Sequence, residues 1–221
     1  FPIAIGDRWE YQSNQANGTE TDVVEMLDAT KAISGVTCIV GHDVVKDGDD
    51  LIEDTNDWFA QAKSGEVHYC GEEAKQFESF DGDVPRVPEL VGNEGSFKAG
   101  TDGAESGILF LATPTVGALY RQEFSLGVAE DVSQVLSTDY TFGANADLDV
   151  LVPPLLAALL CVHPKDCVVT EDFSPLEPGP VERKYYAKGI GDFLEVTPDT
   201  GEVQQLVGCN FDPRCGMLPT P

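Results

Sequence analysis

Residues 21–77 read TDVVEMLDATKAISGVTCIVGHDVVKDGDDLIEDTNDWFAQAKSGEVHYCGEEAKQF, and this stretch decides the fold. Runs rich in Val, Ile, Thr, Phe, Tyr and Trp are separated by short connections of Ser, Gly, Lys and Asp. Branched and aromatic side chains suit a pleated, half-buried surface. Gly and Asp supply the backbone angles that a tight turn requires. The stretch therefore reads as a meander of antiparallel hairpins.

The pattern continues outward. RWEYQS at 8–13 alternates large apolar and polar residues, and ALYRQEF at 118–124 does the same. CVVTEDF, VERKYYAKGIGDFLEVTPD and EVQQLVGC return to strand, with TPDTGE as a hairpin turn between the last two. FDGDVPRVPELVGNEG at 80–95 is a loop. No fixed period of 20–50 residues recurs, which argues against a solenoid or propeller. Two stretches read as helix: 147–161, and the shorter AEDVSQVLS at 129–137. The 221 residues fit one domain, mainly antiparallel all-β, as a curved sheet or barrel-like meander with a short helical insertion near 147–161.

Charge narrows the partners. The chain has 39 Asp and Glu against 13 Lys and Arg, a formal net charge of -26. A phosphate backbone is repelled by such a surface, so nucleic acid is not an expected partner. Anionic membrane surfaces are disfavoured for the same reason. The acids are either a solvated extracellular or salt-adapted face or, in part, ligands for a divalent cation. Calcium is the cofactor to consider. Asp47, Asp49 and Asp50, and Asp81 and Asp83, place carboxylates at alternate positions in short turns, with Glu130 and Asp131 as further candidates. Neither turn completes an EF-hand loop.

The six cysteines are Cys38, Cys70, Cys161, Cys167, Cys209 and Cys215. CVHPKDC and CNFDPRC each hold two cysteines around a proline, so Cys161–Cys167 and Cys209–Cys215 should close short loops, leaving Cys38–Cys70. Zinc is the alternative, although structural zinc sites use shorter spacings. Disulfides imply export, hence a secreted, extracellular or periplasmic protein. The start at Phe1, without Met or signal peptide, is what a mature secreted form would show. NGT at Asn17 is a glycosylation sequon.

The order GDRWEY, GVTC.V..D, IEDT.DWFAQ..SGEV.Y.GE, GS..AG.DGA..GI, YRQEF..G.AED...VLS and PLEPG.VERKYYAKGIG resembles a family of uncharacterised secreted proteins and lipoproteins of bacteria. The likeness runs from Gly6 to about Val207. It implies a secreted antiparallel β-protein and no particular activity. Two segments depart from the family pattern: an insertion at about 144–167 and a tail at about 208–221. Each holds one of the close cysteine pairs.

No GxSxG elbow, HExxH, P-loop or dinucleotide fingerprint occurs. The histidines are His42, His68 and His163. His68 and Cys70 share a strand face, as do Cys38 and His42. A His/Cys cluster could form where the faces meet, unless the cysteines pair with each other. Strict alternation puts Arg121 and Glu123 on one face and Tyr120 and Gln122 on the other. An Arg–Glu pair inside a barrel could hold a polar head or do acid–base work, with Tyr185 as a further catalytic candidate. It could equally be a structural ion pair. Arg183, Lys184 and Lys188 could form an anion site or offset the acidic surface. Aromatics such as Trp9, Tyr11, Trp58, Phe59 and Tyr69 are core, or line a cavity for an apolar ligand.

One apolar stretch stands out, DVLVPPLLAALLC at 149–161. A membrane span needs about 20 apolar residues, so this one does not cross a bilayer. Leu155, Leu156, Leu159 and Leu160 should form a short amphipathic helix that lids the barrel or pairs with its copy in a homodimer. The leading expectation is a secreted barrel-like binding protein for a small, partly apolar or amphiphilic molecule or lipid, using Trp58, His68, Tyr120, Arg121, Glu123, Leu156 and Leu160. The alternatives are a secreted hydrolase, lyase or isomerase in the barrel mouth, and an assembly module dimerising through the insert.

Overall fold

The computed structural model describes residues 1–15, 18–176, 179 and 181–221; the Asn17 sequon lies outside them. The N-terminal meander is β1 (Arg8–Gln15), β2 (Gly18–Ile33), β3 (Val36–Asp47), β4 (Asp50–Gln61) and β5 (Val67–Glu73). Short strands follow: β6 (Gln76–Glu78), β7 (Glu89–Gly92), β8 (Phe97–Lys98) and β9 (Gly107–Phe110). The C-terminal meander is β10 (Leu119–Arg121), β11 (Val132–Ser137), β12 (Cys167–Phe173), β13 (Glu182–Ala187), β14 (Gly191–Thr197) and β15 (Glu202–Cys209). The helix α1 is Pro154–Leu160, and a 3-10 turn covers Pro213–Met217.

All strands join one antiparallel sheet, ordered β10-β11-β12-β13-β14-β15-β1-β2-β3-β4-β5-β8, with β9 also on β5. The first and last strands pair with each other, Trp9 opposite Cys209 and Tyr11 opposite Leu206, so the two meanders form one surface. The sheet curls until its ends meet at a single bridge, where Glu105 N–H donates to the Phe124 carbonyl at 2.9 Å. Among the described residues no continuous ladder closes it. Gly107 is needed at this seam, because a Cβ there would lie 1.8 Å from the Gln122 carbonyl oxygen.

The hairpin turns fall where expected. Ser34 and Gly35, both at positive φ, turn β2 into β3. AEDVSQVLS is not helical: 132–137 is β11, hydrogen-bonded on both sides by β10 and β12. Its Val and Ser residues satisfy a two-residue period, and two flanking strands outweigh a weak local helical preference. The three disulfides are Cys38–Cys70, Cys161–Cys167 and Cys209–Cys215. No helix of the described residues is long and apolar enough to cross a membrane.

The helix is shorter than 147–161 because of its prolines. Pro153 is the N-cap and Pro154 the first helical residue. A residue before proline avoids the α conformation, so the helix cannot extend backward. The insert does not lid the barrel. Tyr185 shares its sheet face with its neighbours Val169 and Leu194, opposite to the face of Lys184. Its hydroxyl donates to the Leu148 carbonyl at 2.6 Å, and its ring meets Tyr140 edge-on. Cys161 at the end of α1 is tied to Cys167 at the start of β12, on that same face. The insert therefore covers the outer face of the sheet. Leu156 and Leu160 are fully buried there and Leu159 partly, while Leu155 is 75% exposed. The apolar side offered to a lid or a dimer is already covered by the chain's own sheet.

Candidate functional site

The inner face changes character along each strand. From one end to the other, β2 presents Met26, Val24, Asp22 and Glu20, and β4 presents Phe59, Asp57, Thr55 and Glu53. β1 presents Trp9, Tyr11 and Ser13. Residues two apart share a face, so apolar and acidic positions follow the same parity. The apolar end is filled: Trp9, Met26, Phe59 and Leu206 are buried in one cluster, and the Trp9 indole donates to the Ile190 carbonyl at 2.8 Å. The aromatic residues here are core rather than the lining of an apolar chamber.

The other end is carboxylate-rich. Asp22 and Asp43 are in contact across β2 and β3, and Gln204 Nε2 donates to Asp22 Oδ2 at 2.8 Å. Burial raises both pKa values, Asp43 well above the usual range because the Asp22 charge adds to it. Two carboxylates so close and so buried do not both ionise readily, which favours a proton on Asp43. A second group surrounds Tyr69, whose hydroxyl contacts Asp57 and lies 2.9 Å from Glu72 Oε2. A phenol has one proton to donate, so one of the two acids must hold its own proton for both contacts to be hydrogen bonds. Burial accordingly pushes Asp57 up to about 7, and burial followed by the Asp57 charge pushes Glu72 up to about 8. Gly71, at φ +127°, forms the bulge that turns Glu72 to the same side as Tyr69; a Cβ there would strike the Phe97 carbonyl.

The base among these acids is Lys184. Burial alone would lower its pKa, but Glu195, Asp172 and Glu182 reverse this and hold it charged. Its Nζ lies 3.3 Å from Glu195 Oε1 and 3.8 Å from Asp172 Oδ2. Beside it opens a cavity of about 850 Å³, lined by Gln122, Glu123, Asp172, Glu182 and Lys184, with Val128, Phe173 and Leu176 at the rim. The rim residues are half-exposed apolar side chains. A smaller cleft of about 220 Å³ on the far side of Glu182 is lined by Glu20, Glu195, Glu202 and Gln204. Glu123, raised to about 7 by burial and then by Asp131, acts electrostatically on Asp57, Tyr69 and Glu72, which joins the cavity to the carboxylate interior.

Among the described residues, two polar atoms on the cavity lining, Asp172 Oδ2 and Gln122 Nε2, lack hydrogen-bond partners, as does Ser133 Oγ beside Asp172. All three residues are buried, at 7%, 7% and 0% exposure. Ser133 sits opposite Asp172 in the sheet and lowers its pKa, but the hydroxyl does not reach full hydrogen-bond geometry. Buried polar atoms are almost always paired, so two orphans on the lining of one opening point to a missing partner.

The structure separates the residues expected to act together. Gln122 and Glu123 N–H both donate to the Asp131 carbonyl, at 2.8 and 3.3 Å. This bulge breaks the alternation, leaving Arg121 outside and Glu123 within. Arg121 lies over the Phe124 ring, with Glu130 3.9 Å away, so the expected Arg121–Glu123 pair does not form. Tyr120 is buried on the inner side, near Ser133 and Asp172. Tyr185 is on the outer face, away from the cavity. Trp58 is also outside, against the Cys38–Cys70 disulfide with Lys31 3.4 Å above its ring. His68 faces Glu66 at 3.2 Å and His42 faces Asp54 at 3.5 Å, so no His/Cys cluster forms from them. Leu156 and Leu160 lie under the insert. Arg183 points outward to the Asp147 carbonyl at 2.6 Å while Lys184 points inward, so Arg183, Lys184 and Lys188 do not make one anion site.

For calcium, the Asp47, Asp49 and Asp50 turn is the β3–β4 hairpin tip, and Arg86 bonds Asp50 at 2.7 Å and lies 3.9 Å from Asp81. Asp83 is on the same exposed loop as Asp81. Among the described residues no three His, Cys, Asp or Glu side chains are grouped to hold a metal. Sequence reasoning missed Asp22, Asp43, Asp57, Glu72, Asp172 and Glu182. Parity carried a signal: Asp22 and Asp57 sit two residues from core positions on strands otherwise read correctly. No protein-family model, curated protein or solved structure matches this chain.

Proposed function

We propose that this is an exported binding protein for a small amphiphilic molecule, taken head-first into the cavity beside Lys184. The carrying observation is the pair of orphan atoms, Asp172 Oδ2 and Gln122 Nε2, on the lining of an opening rimmed by Val128, Phe173 and Leu176. A polar head supplies the missing partners, and an apolar tail covers the rim. The three disulfides support export.

Native mass spectrometry with octanol, octylammonium and octanoate tests the reading. At least one probe should form a complex of one ligand per chain with the wild type, and the double variant Phe173→Ser, Leu176→Ser should lose it. Absence of a complex with all three, or a complex indifferent to the double variant, refutes it.

A second reading is an acid–base enzyme at the same cavity. Glu123 supports it, because a carboxyl titrating near 7 exchanges protons at neutral pH. It predicts that Glu123→Gln abolishes turnover of a bound molecule while the complex still forms.

A further inference from the structure

We infer that the head group this cavity selects is a cation of the amine or guanidinium class, held by Asp172 and Glu182 with Glu123 facing it. The inference rests on the binding reading above and narrows it from an amphiphile to a cationic one.

Charge is the first ground. Glu94, Glu123, Asp131, Asp172 and Glu182 line the cavity, against Lys184 as its basic lining residue. The Lys184 ammonium is already committed, its nearest partner being Glu195 at 3.3 Å on the side of the smaller cleft. It neutralises part of the acidic wall and leaves the rest. The whole chain, at -26, adds a field that draws cations toward the opening and repels anions.

The second ground is independent of the number of acids. Asp172 is 7% exposed and opens on the cavity, yet among the described residues no donor, the neighbouring Ser133 hydroxyl included, reaches its Oδ2 in full hydrogen-bond geometry. The 3.8 Å to Lys184 Nζ is too long for one. A buried carboxylate oxygen without a donor is costly, and a charged N–H is the strongest donor that can fill the position. An anionic head would meet the same oxygen with repulsion. A neutral hydroxyl would donate to it but leave the excess negative charge in place.

Protons are the competitor. Glu123 faces Asp131, Lys184, Asp57 and Glu72. Asp172 and Glu182 face Lys184, Glu195 and each other, and Glu182 also faces Asp131. Burial raises all three carboxyls, Glu123 to about 7, so at neutral pH part of the wall is protonated. A bound cation displaces those protons, and its affinity should rise with pH.

Isothermal titration with octylammonium, octanol and octanoate at pH 6 and pH 8, at fixed ionic strength, decides the matter. Octylammonium should bind at least about tenfold tighter than octanol at pH 8, with octanoate weakest. Its affinity should rise about tenfold from pH 6 to pH 8 for each displaced proton, while that of octanol does not rise. Asp172→Asn should reduce the ratio of octylammonium to octanol affinity. Should that variant not fold, Glu182→Gln, at the exposed edge of the cavity, should reduce the same ratio. Octanol or octanoate binding as tightly as octylammonium, or a ratio unchanged in the variants, overturns the cation inference and leaves the binding reading standing. Binding by none of the three overturns both.

Discussion

Replacing Asp57 by Asn should stabilise the protein at pH 8 and flatten its loss of stability with rising pH. Burial lifts the Asp57 carboxyl from 3.8 to about 7 in the folded state. Between those values the folded chain holds a proton that the unfolded chain has released. Folding is therefore most favoured below about pH 4, and the advantage is lost as pH climbs through 7. Titrating alone, a group moved from 3.8 to about 7 would change stability by about 4 kcal/mol across that window. Asp57 does not titrate alone, because the Tyr69 hydroxyl bonds it and its charge raises Glu72. About half of that, ~2 kcal/mol, is the expected difference between variant and wild type at pH 8. For a chain of this size it corresponds to about 4–8 °C in Tm. Asn keeps an oxygen to accept the Tyr69 hydroxyl, so packing changes little. The assay is urea unfolding of both proteins at pH 5, 6, 7 and 8 at constant ionic strength. General repulsion within so acidic a chain acts on both and cancels in the difference. Equal pH slopes for the two proteins, or a wild type that gains stability from pH 5 to pH 8, would refute a buried Asp57 that keeps its proton up to about pH 7.

Leu156→Ala should cost about 3 kcal/mol, since the side chain is fully buried under the insert, and should leave octyl-probe affinity unchanged; reduced affinity in calorimetry would restore the lid. Gly107→Ala places a methyl group 1.8 Å from the Gln122 carbonyl, so the seam should part and the Glu105 amide should exchange with solvent faster; unchanged exchange would show that the bridge does not hold the sheet's ends together. Removing the Cys161–Cys167 bridge by serine substitution should cost roughly 2–3 kcal/mol by denaturant unfolding and loosen the insert, with limited proteolysis cutting first between 144 and 166.

Local chemistry made much of this protein readable in one dimension. The hairpins of 21–77 rest on side-chain alternation and turn residues, both set within a few positions of sequence. The two six-residue disulfide loops follow from short separation, and Pro153 and Pro154 mark the start of α1 by restricting their own backbone. What alternation cannot foresee is where it breaks. A shared hydrogen bond to the Asp131 carbonyl sends Arg121 out and Glu123 in, and Gly71 does the same service for Glu72. The two strands beside 132–137 override its helical leaning. The apolar insert was visible, but its destination was not, since a buried leucine needs only an apolar surface and either face of the sheet could supply one. The site itself was the least legible. Its acids come from strands far apart in sequence, and each reads singly as a solvated surface residue. They become a buried, mutually repelling acid cluster only once the sheet curls, because burial and mutual charge, which raise their pKa values, exist only in three dimensions.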